Sequence, residues 1–258
     1  MTDNISSESG IQSVQRAAAI LRCFTRVESE LGVMAISEQL KLHKSTVSRL
    51  LSTLKQEGFV EQNPENGKYR LGLTLVTLAG VVLDSIDLRQ VAHPYLQTLA
   101  QETQETVNIV VLDGNECVNI DGVPSPRPIQ YIGRIGRRTP MYCTAAGKVL
   151  LAYLSPEKQR TILPNTLMRF TEHTLVEHQQ VLESLAQVRE QRYAIAHEEH
   201  QVGVSAIAVP IWDHTQEICA AIAISGPSYR VGADKIHEFL PPLRETALGI
   251  STQLGCVS

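Results

Sequence analysis

The stretch ISEQLKLHKSTVSRLLSTLKQEGFV, residues 36–60, constrains this chain more than any other. Val47, Leu50, Leu51 and Leu54 recur at i, i+3, i+4 and i+7, so they share one helical face that must be buried. The opposite face carries Ser45, Thr46, Ser48, Arg49 and Thr53. Lys44 stands at the helix N-terminus, where free N–H groups and the helix dipole favour a phosphate. A helix with such an end suits the DNA major groove. An ordinary amphipathic surface helix would carry the same pattern, so the flanks decide. Val33, Ile36 and Leu40 mark a short helix ahead of it. Val14, Ala17, Ala18, Leu21 and Phe24 mark another, with Ser13 as its expected N-cap. Gly58 is a helix stop, and residues 59–62 and 68–71 read as two strands around the turn signal Asn66-Gly67. Three helices and a hairpin carrying Lys68 and Arg70 make a winged helix-turn-helix.

The charge distribution agrees. Residues 10–72 hold nine Lys/Arg against six Asp/Glu, while residues 73–258 hold fourteen against nineteen. The excess of positive charge is small, which suits a dimer relying on two half-sites rather than a strongly basic nonspecific binder. At 258 residues the chain has room for one small and one medium domain. Its start, MTDNISSESG, is polar and acidic, so no signal peptide is expected and residues 1–9 read as a disordered tail. The longest apolar run, 71–83, is too short to span a bilayer, so no membrane partner is expected. Cys23, Cys117, Cys143, Cys219 and Cys256 are scattered without metal-ligand or redox spacing, which points to a reducing cytoplasm.

Residues 71–86 are apolar at more positions than one helical face can use. A linker helix (residues 73–87) in a dimer interface would explain this, and so would a core helix. Residues 88–99 form another amphipathic helix, which Pro94 should kink or deprive of a hydrogen bond. From Thr106 the pattern turns to strands: a hairpin around Asp113-Gly114-Asn115, then a strand at 129–133. Helices are expected at 143–153, after the Ser155-Pro156 cap, at 177–190 and at 233–254, with strands at 193–196, 204–211 and 218–225. Hairpins with flanking helices give an α+β domain, residues 88–258, with a mostly antiparallel sheet.

Over nearly its full length the chain resembles the IclR family of bacterial transcriptional regulators. The resemblance rests on SVQRAAAIL at 13–21, HKSTVSRLLSTL at 43–54 and GFVEQNPENGKYRLG at 58–72. In the second domain it rests on ETVNIVVLDG at 105–114, GRRTPMYCTAAGKVLLAYL at 136–154, EEHQVGVSAIAVPIWD at 198–213 and AIAISGP at 221–227. It implies a winged-helix domain (10–72), a linker helix and a GAF-like effector domain. It also implies dimers or dimers of dimers, and a small-molecule effector controlling promoter binding. Five positions depart from the family pattern. Lys41 stands where Gly is common and must adopt the turn conformation Gly takes more easily. Arg192 replaces a usual Gly, Ala196 a usual acidic residue and Ala206 a frequent Cys, while Trp212 is also unusual. The last changes bear on the effector more than on the fold.

Candidate chemistry follows. Thr46, Ser48 and Arg49 should reach base edges, and Lys44, Ser45, Lys68 and Arg70 should hold phosphates of a pseudopalindromic double-stranded operator. The segment around Met141, Cys143, Thr144 and Ala145 leads into a helix of small residues, which lets a ligand approach the backbone. By resemblance this segment, the Glu199 loop and the strand around Ala223 and Ser225 surround the effector. With His197 and Ala206 they should form a pocket for a small organic acid, aromatic ones included; tight packing of the helix on the sheet is the alternative reading. His197-Glu198-Glu199-His200 has the wrong spacing for a zincin motif, and no metal is expected. Arg134, Arg137 and Arg138 could attract an anion or make ion pairs in an assembly. No nucleotide loop, dinucleotide fingerprint or serine-hydrolase elbow occurs, so no cofactor is called for and an enzyme is not expected. A thiol-dependent redox sensor or enzyme using Cys143 is the competing reading.

Overall fold

A computed structural model describes residues 11–25, 27–84 and 87–256. The chain divides into two compact units, Met1–Ser85 and Ile86–Ser258. The tail expected over residues 1–9 and the junction residues 85 and 86 lie outside the described residues.

In the first unit, helices α1 (Gln12–Cys23), α2 (Val33–Leu40) and α3 (Lys44–Gln56) pack around Ile20, Phe24, Ile36, Val47, Leu51 and Leu54. Two details of α1 differ from expectation. Ser13 lies inside the helix, whose flanking Ile11 makes no side-chain cap, and Val14 is exposed whereas Ile20 is buried in the core. Helix α2 ends on Lys41 in the left-handed region (φ 52°, ψ 39°), where its N–H bonds the carbonyls of Glu38 and Ser37. Helix α3 is closed by Gly58 at φ +72°, and a Cβ there would collide with Thr74. The hairpin strands β1 (Val60–Gln62) and β2 (Tyr69–Leu71) pair antiparallel, with Glu61 opposite Arg70. Helix α4 (Thr74–Asp84) follows; Val76, Leu78 and Val81 on it are exposed in the single chain.

The second unit is a six-stranded, wholly antiparallel sheet in the order β5-β4-β3-β8-β7-β6. Its strands are β3 (Thr106–Asp113), β4 (Glu116–Val123), β5 (Arg138–Pro140), β6 (Ala194–His197), β7 (Val204–Trp212) and β8 (Ile218–Pro227). Alternation sorts their side chains onto two faces. The larger ones, Ile109, Ile207, Val209, Ile222 and Ile224, pack against α5 (Asp87–Thr103) and α9 (Ile236–Gln253). The smaller ones, Ala194, Ala196, Ala208, Ala221 and Ala223, pack against α6 (Ala145–Ala152) and α8 (His178–Gln191). Between these two helices runs α7 (Pro156–Ile162), capped by Ser155, whose hydroxyl accepts the Lys158 N–H.

The strand expected at 129–133 is absent, and the edge of the sheet is β5 instead. Backbone groups there bond side chains rather than a neighbouring strand. The Tyr131 carbonyl accepts from the Thr106 hydroxyl at 2.6 Å, and the Ile129 carbonyl accepts from Arg230 at 2.7 Å. Pro94 lies within α5, as its sequence position required.

A left-handed backbone costs an L-residue about 1 kcal/mol or more relative to glycine. Lys41→Gly is therefore expected to stabilise the first unit by about 1 kcal/mol, read as a higher urea midpoint with an unchanged slope.

Candidate functional site

The exposed face of α3 presents Lys44, Ser45, Ser48 and Arg49, with Thr46 half-buried beside them. The helix N-terminus is organised by His43, which sequence reasoning passed over. Its Nδ1 accepts the Ser45 N–H at 3.3 Å and lies 2.7 Å from the Ser45 hydroxyl. His43 thus holds the first turn and engages the Ser45 hydroxyl. Lys68 sits on the hairpin just before β2 and is exposed. Arg70 is also exposed and lies 3.0 Å from Glu61 across the hairpin. An exposed pair of this kind is worth less than about 1 kcal/mol, so it holds Arg70 only weakly.

In the second unit a cavity of about 80 Å³ opens at the N-terminus of α6. Thr144 caps that helix, its hydroxyl accepting the Gly147 N–H at 3.2 Å and donating to the Pro140 carbonyl at 3.2 Å. Gly147 is required by close approach: a Cβ there would run into the backbone of Met141. The first intrahelical bond is Lys148 N–H to the Thr144 carbonyl. Ala145 and Ala146, both buried, contribute amide N–H groups that take no partner among the described residues, and both residues line the cavity. Buried amides without partners are uncommon, and at a helix N-terminus they form an anion site.

The opposite wall comes from the turn after β6. Glu198 adopts φ 53°, which reverses the chain and turns Glu199 inward. Two threonine hydroxyls hold this turn, Thr171 donating to the Glu198 carbonyl and Thr174 to the Glu199 carbonyl, both at 2.6 Å. The Glu199 carboxylate meets Lys148 of α6, Nζ to Oε1 at 2.5 Å, with both residues buried. Its other oxygen, Oε2, is sealed from solvent without a hydrogen bond. Burial pushes the Glu199 carboxyl above the usual carboxylate range, against the pull of Lys148. His200 also lines the cavity, 4.9 Å from the Phe170 ring, and burial lowers its pKa, favouring the neutral imidazole.

Of the residues expected to form the pocket, Cys143, Thr144, Ala145, Glu199 and Ala206 lie in its wall. Met141 is buried behind it. Ala223 and Ser225 occupy the adjacent strand, Ser225 opposite Ala206, and do not reach the wall. His197 points elsewhere: it is exposed, with Nδ1 2.9 Å from the Ser205 hydroxyl and its ring against His173. Tyr131, His200 and Lys148 are the important residues that sequence reasoning missed. Lys148 could have been suspected, since a lone cation in the apolar run AAGKVLLA needs a buried partner.

Cys143 is fully buried and burial pushes its thiol up to about 12, so it stays a protonated, weak nucleophile near neutral pH. His197, Glu199 and His200 diverge, and among the described residues no metal-binding group of His, Cys, Asp or Glu occurs. The basic cluster is spent internally in part: Arg138 pairs with Asp113 and Glu116, and Arg137 donates to the Tyr131 hydroxyl at 3.0 Å.

A winged helix-turn-helix followed by a sensor-like α+β unit defines a one-component transcriptional regulator. The helix-turn-helix profile of the IclR family matches residues 13–64, and the profile described as "Bacterial transcriptional regulator IclR C-terminal" matches residues 80–252. The chain belongs to the IclR family. It is 40% identical to the regulator XynR of Escherichia coli over 95% of this chain and 98% of that protein. It is 36% identical to KdgR of the same organism, covering 95% and 93% of the two chains. Among solved structures, an IclR homologue from Microbacterium hydrocarbonoxydans in complex with 4-hydroxybenzoate superposes with a TM-score of 0.83 at 26% identity, over 94% of this chain and 99% of that one. These relatives are regulators, not enzymes.

Removing one partner of a buried ion pair strands the other charge, at a cost of about 3–5 kcal/mol. Lys148→Met should show that loss by urea unfolding, and adding Glu199→Leu should recover most of it.

Proposed function

We propose that this regulator binds a pseudopalindromic operator as a homodimer or dimer of dimers, in the cytoplasm, and that a short organic acid seated at the N-terminus of α6 controls its operator affinity. The observation that carries the effector reading is the pair of unspent amide donors on Ala145 and Ala146, facing a cavity with no free cation in its wall. A carboxylate would satisfy both donors and meet the positive end of the helix dipole. The nearby Lys148 and Glu199 compensate one another, so they neither attract nor repel the anion strongly. A volume of about 80 Å³ has room for about three water-sized groups, which favours short acids over bulky ones. The complex of a family relative with 4-hydroxybenzoate supports an acid as the ligand class, and accommodating a ring here would require the walls to part.

The test is calorimetry of the intact protein with a series of organic acids. Ala145→Leu fills the cavity and should reduce binding at least tenfold; equal binding by this variant removes the helix from the site.

On the DNA side, Arg49 is the side chain with the reach and fork geometry to contact guanine, flanked by Thr46 and Ser48. Lys44, Ser45, Lys68 and Arg70 hold phosphates, and the exposed apolar residues of α4 meet a second copy of the chain. Effector occupancy then changes the spacing of two winged helices through α4. Arg49→Ala should lose about 1–3 kcal/mol of discrimination between operator and random DNA. Gel-shift titrations showing equal loss on both DNAs would assign Arg49 to phosphate instead.

A further inference from the structure

A second recess in the C-terminal unit lies at the other end of α6. It has a volume of about 700 Å³, well within the range of small-molecule sites, and its walls come from the C-terminal ends of α6 and α8 and from β7 and α9. Three guanidinium groups face it, from Arg189, Arg192 and Arg244, together with the rings of Tyr153 and Trp212. Among the described residues none of the three arginines has a carboxylate within ion-pair distance. They are positioned without being neutralised. Arg189 lies over the Tyr153 ring at 5.8 Å, and Arg244 lies over the Tyr193 ring at 5.5 Å while donating to the Gln191 carbonyl at 2.8 Å. Arg192 caps α8 at φ 61°, a conformation in which glycine would be easier, and so its guanidinium is carried at a cost to the backbone. The Tyr153 and Trp212 rings meet edge to face at 5.2 Å and give the recess an aromatic wall. Burial pushes the Tyr153 hydroxyl above its ordinary range, against the pull of Arg192 and Arg189, and the hydroxyl has no hydrogen-bond partner among the described residues.

We propose that this recess is a second ligand site, separate from the cavity at the N-terminus of α6, and that it takes a small organic polyanion with a flat, apolar body, such as an aryl phosphate ester or an aromatic tricarboxylate. Guanidinium forks match phosphate and carboxylate oxygens in pairs, and three of them select for multiple charge over a single one. The aromatic wall selects for an organic body, which separates this ligand from inorganic ions. The proposal does not depend on what fills the other cavity.

Trp212 is the chain's single tryptophan, so its fluorescence reports on this recess in the intact protein. Phenyl phosphate and benzene-1,3,5-tricarboxylate should each produce a saturable change in emission, whereas phenol and inorganic phosphate at matched ionic strength should not. Arg192→Gly is the decisive variant. It removes the strained backbone, so its melting temperature should hold or rise, and its affinity for phenyl phosphate should fall at least tenfold. Arg189→Gln should show the same loss. The proposal is overturned by an absence of saturation with either anion, by equal responses to phenol or inorganic phosphate, or by undiminished affinity in both variants. It is also overturned if emission changes with protein concentration alone, which would make the recess a contact between copies of the chain.

Discussion

The ion pair between Lys148 and Glu199 is the constraint on which the effector unit depends. Two charges removed from water are tolerated only at close range, so Nζ and Oε1 at 2.5 Å fix helix α6 to the turn after β6. That turn can hold its position because Glu198 takes a left-handed backbone and because Thr171 and Thr174 clasp the two carbonyls around it. The same contact brings the start of α6 opposite Ala206 and His200 and closes a cavity around two unpartnered amides. Packing supplies the remainder. Alanines on the facing strands let the helix approach closely, and Gly147 lets its first turn lie against Met141.

The two units were legible in the sequence to different degrees. The recognition helix announced itself because its burial follows a helical period, and Val47, Leu51 and Leu54 are indeed in the core. The sheet topology was not legible, since a strand run does not say which neighbour it pairs with; β3 beside β8 joins segments far apart in sequence. The expected strand at 129–133 failed because its apolar alternation competes with side-chain donors from Thr106 and Arg230, which lie elsewhere in the chain. Ser13 failed as a cap for a simpler reason: Gln12 already continues the helix, so Ser13 has helical backbone.

The candidate pocket was half legible. Thr144, Ala145 and Glu199 were accessible to reasoning because a small-residue helix start and a polar loop carry recognisable chemistry. His197 and His200 could not be told apart, because the positive φ at Glu198 between them decides which one turns inward. The electrostatic state of the DNA face was equally hidden. That Arg70 faces Glu61, and that His43 engages Ser45, follow from hairpin register and cap geometry rather than from composition.

Alanine stands in the cavity wall at two paired positions of neighbouring strands, 196 and 206. Each such residue contributes a single methyl group, which is the smallest wall that still excludes water. Alanine codons lie one nucleotide change away from those for glycine, serine, threonine and valine, so every one of these walls can gain or lose a few atoms, or a hydroxyl, in a single mutational step. The helix ladder, the ion pair and the sheet register would be untouched by most of these changes. On the proposed reading of the cavity, a regulator built this way can drift from one small ligand to another while its DNA-reading unit stays the same, so divergence of the sensed molecule is mutationally cheap on this scaffold.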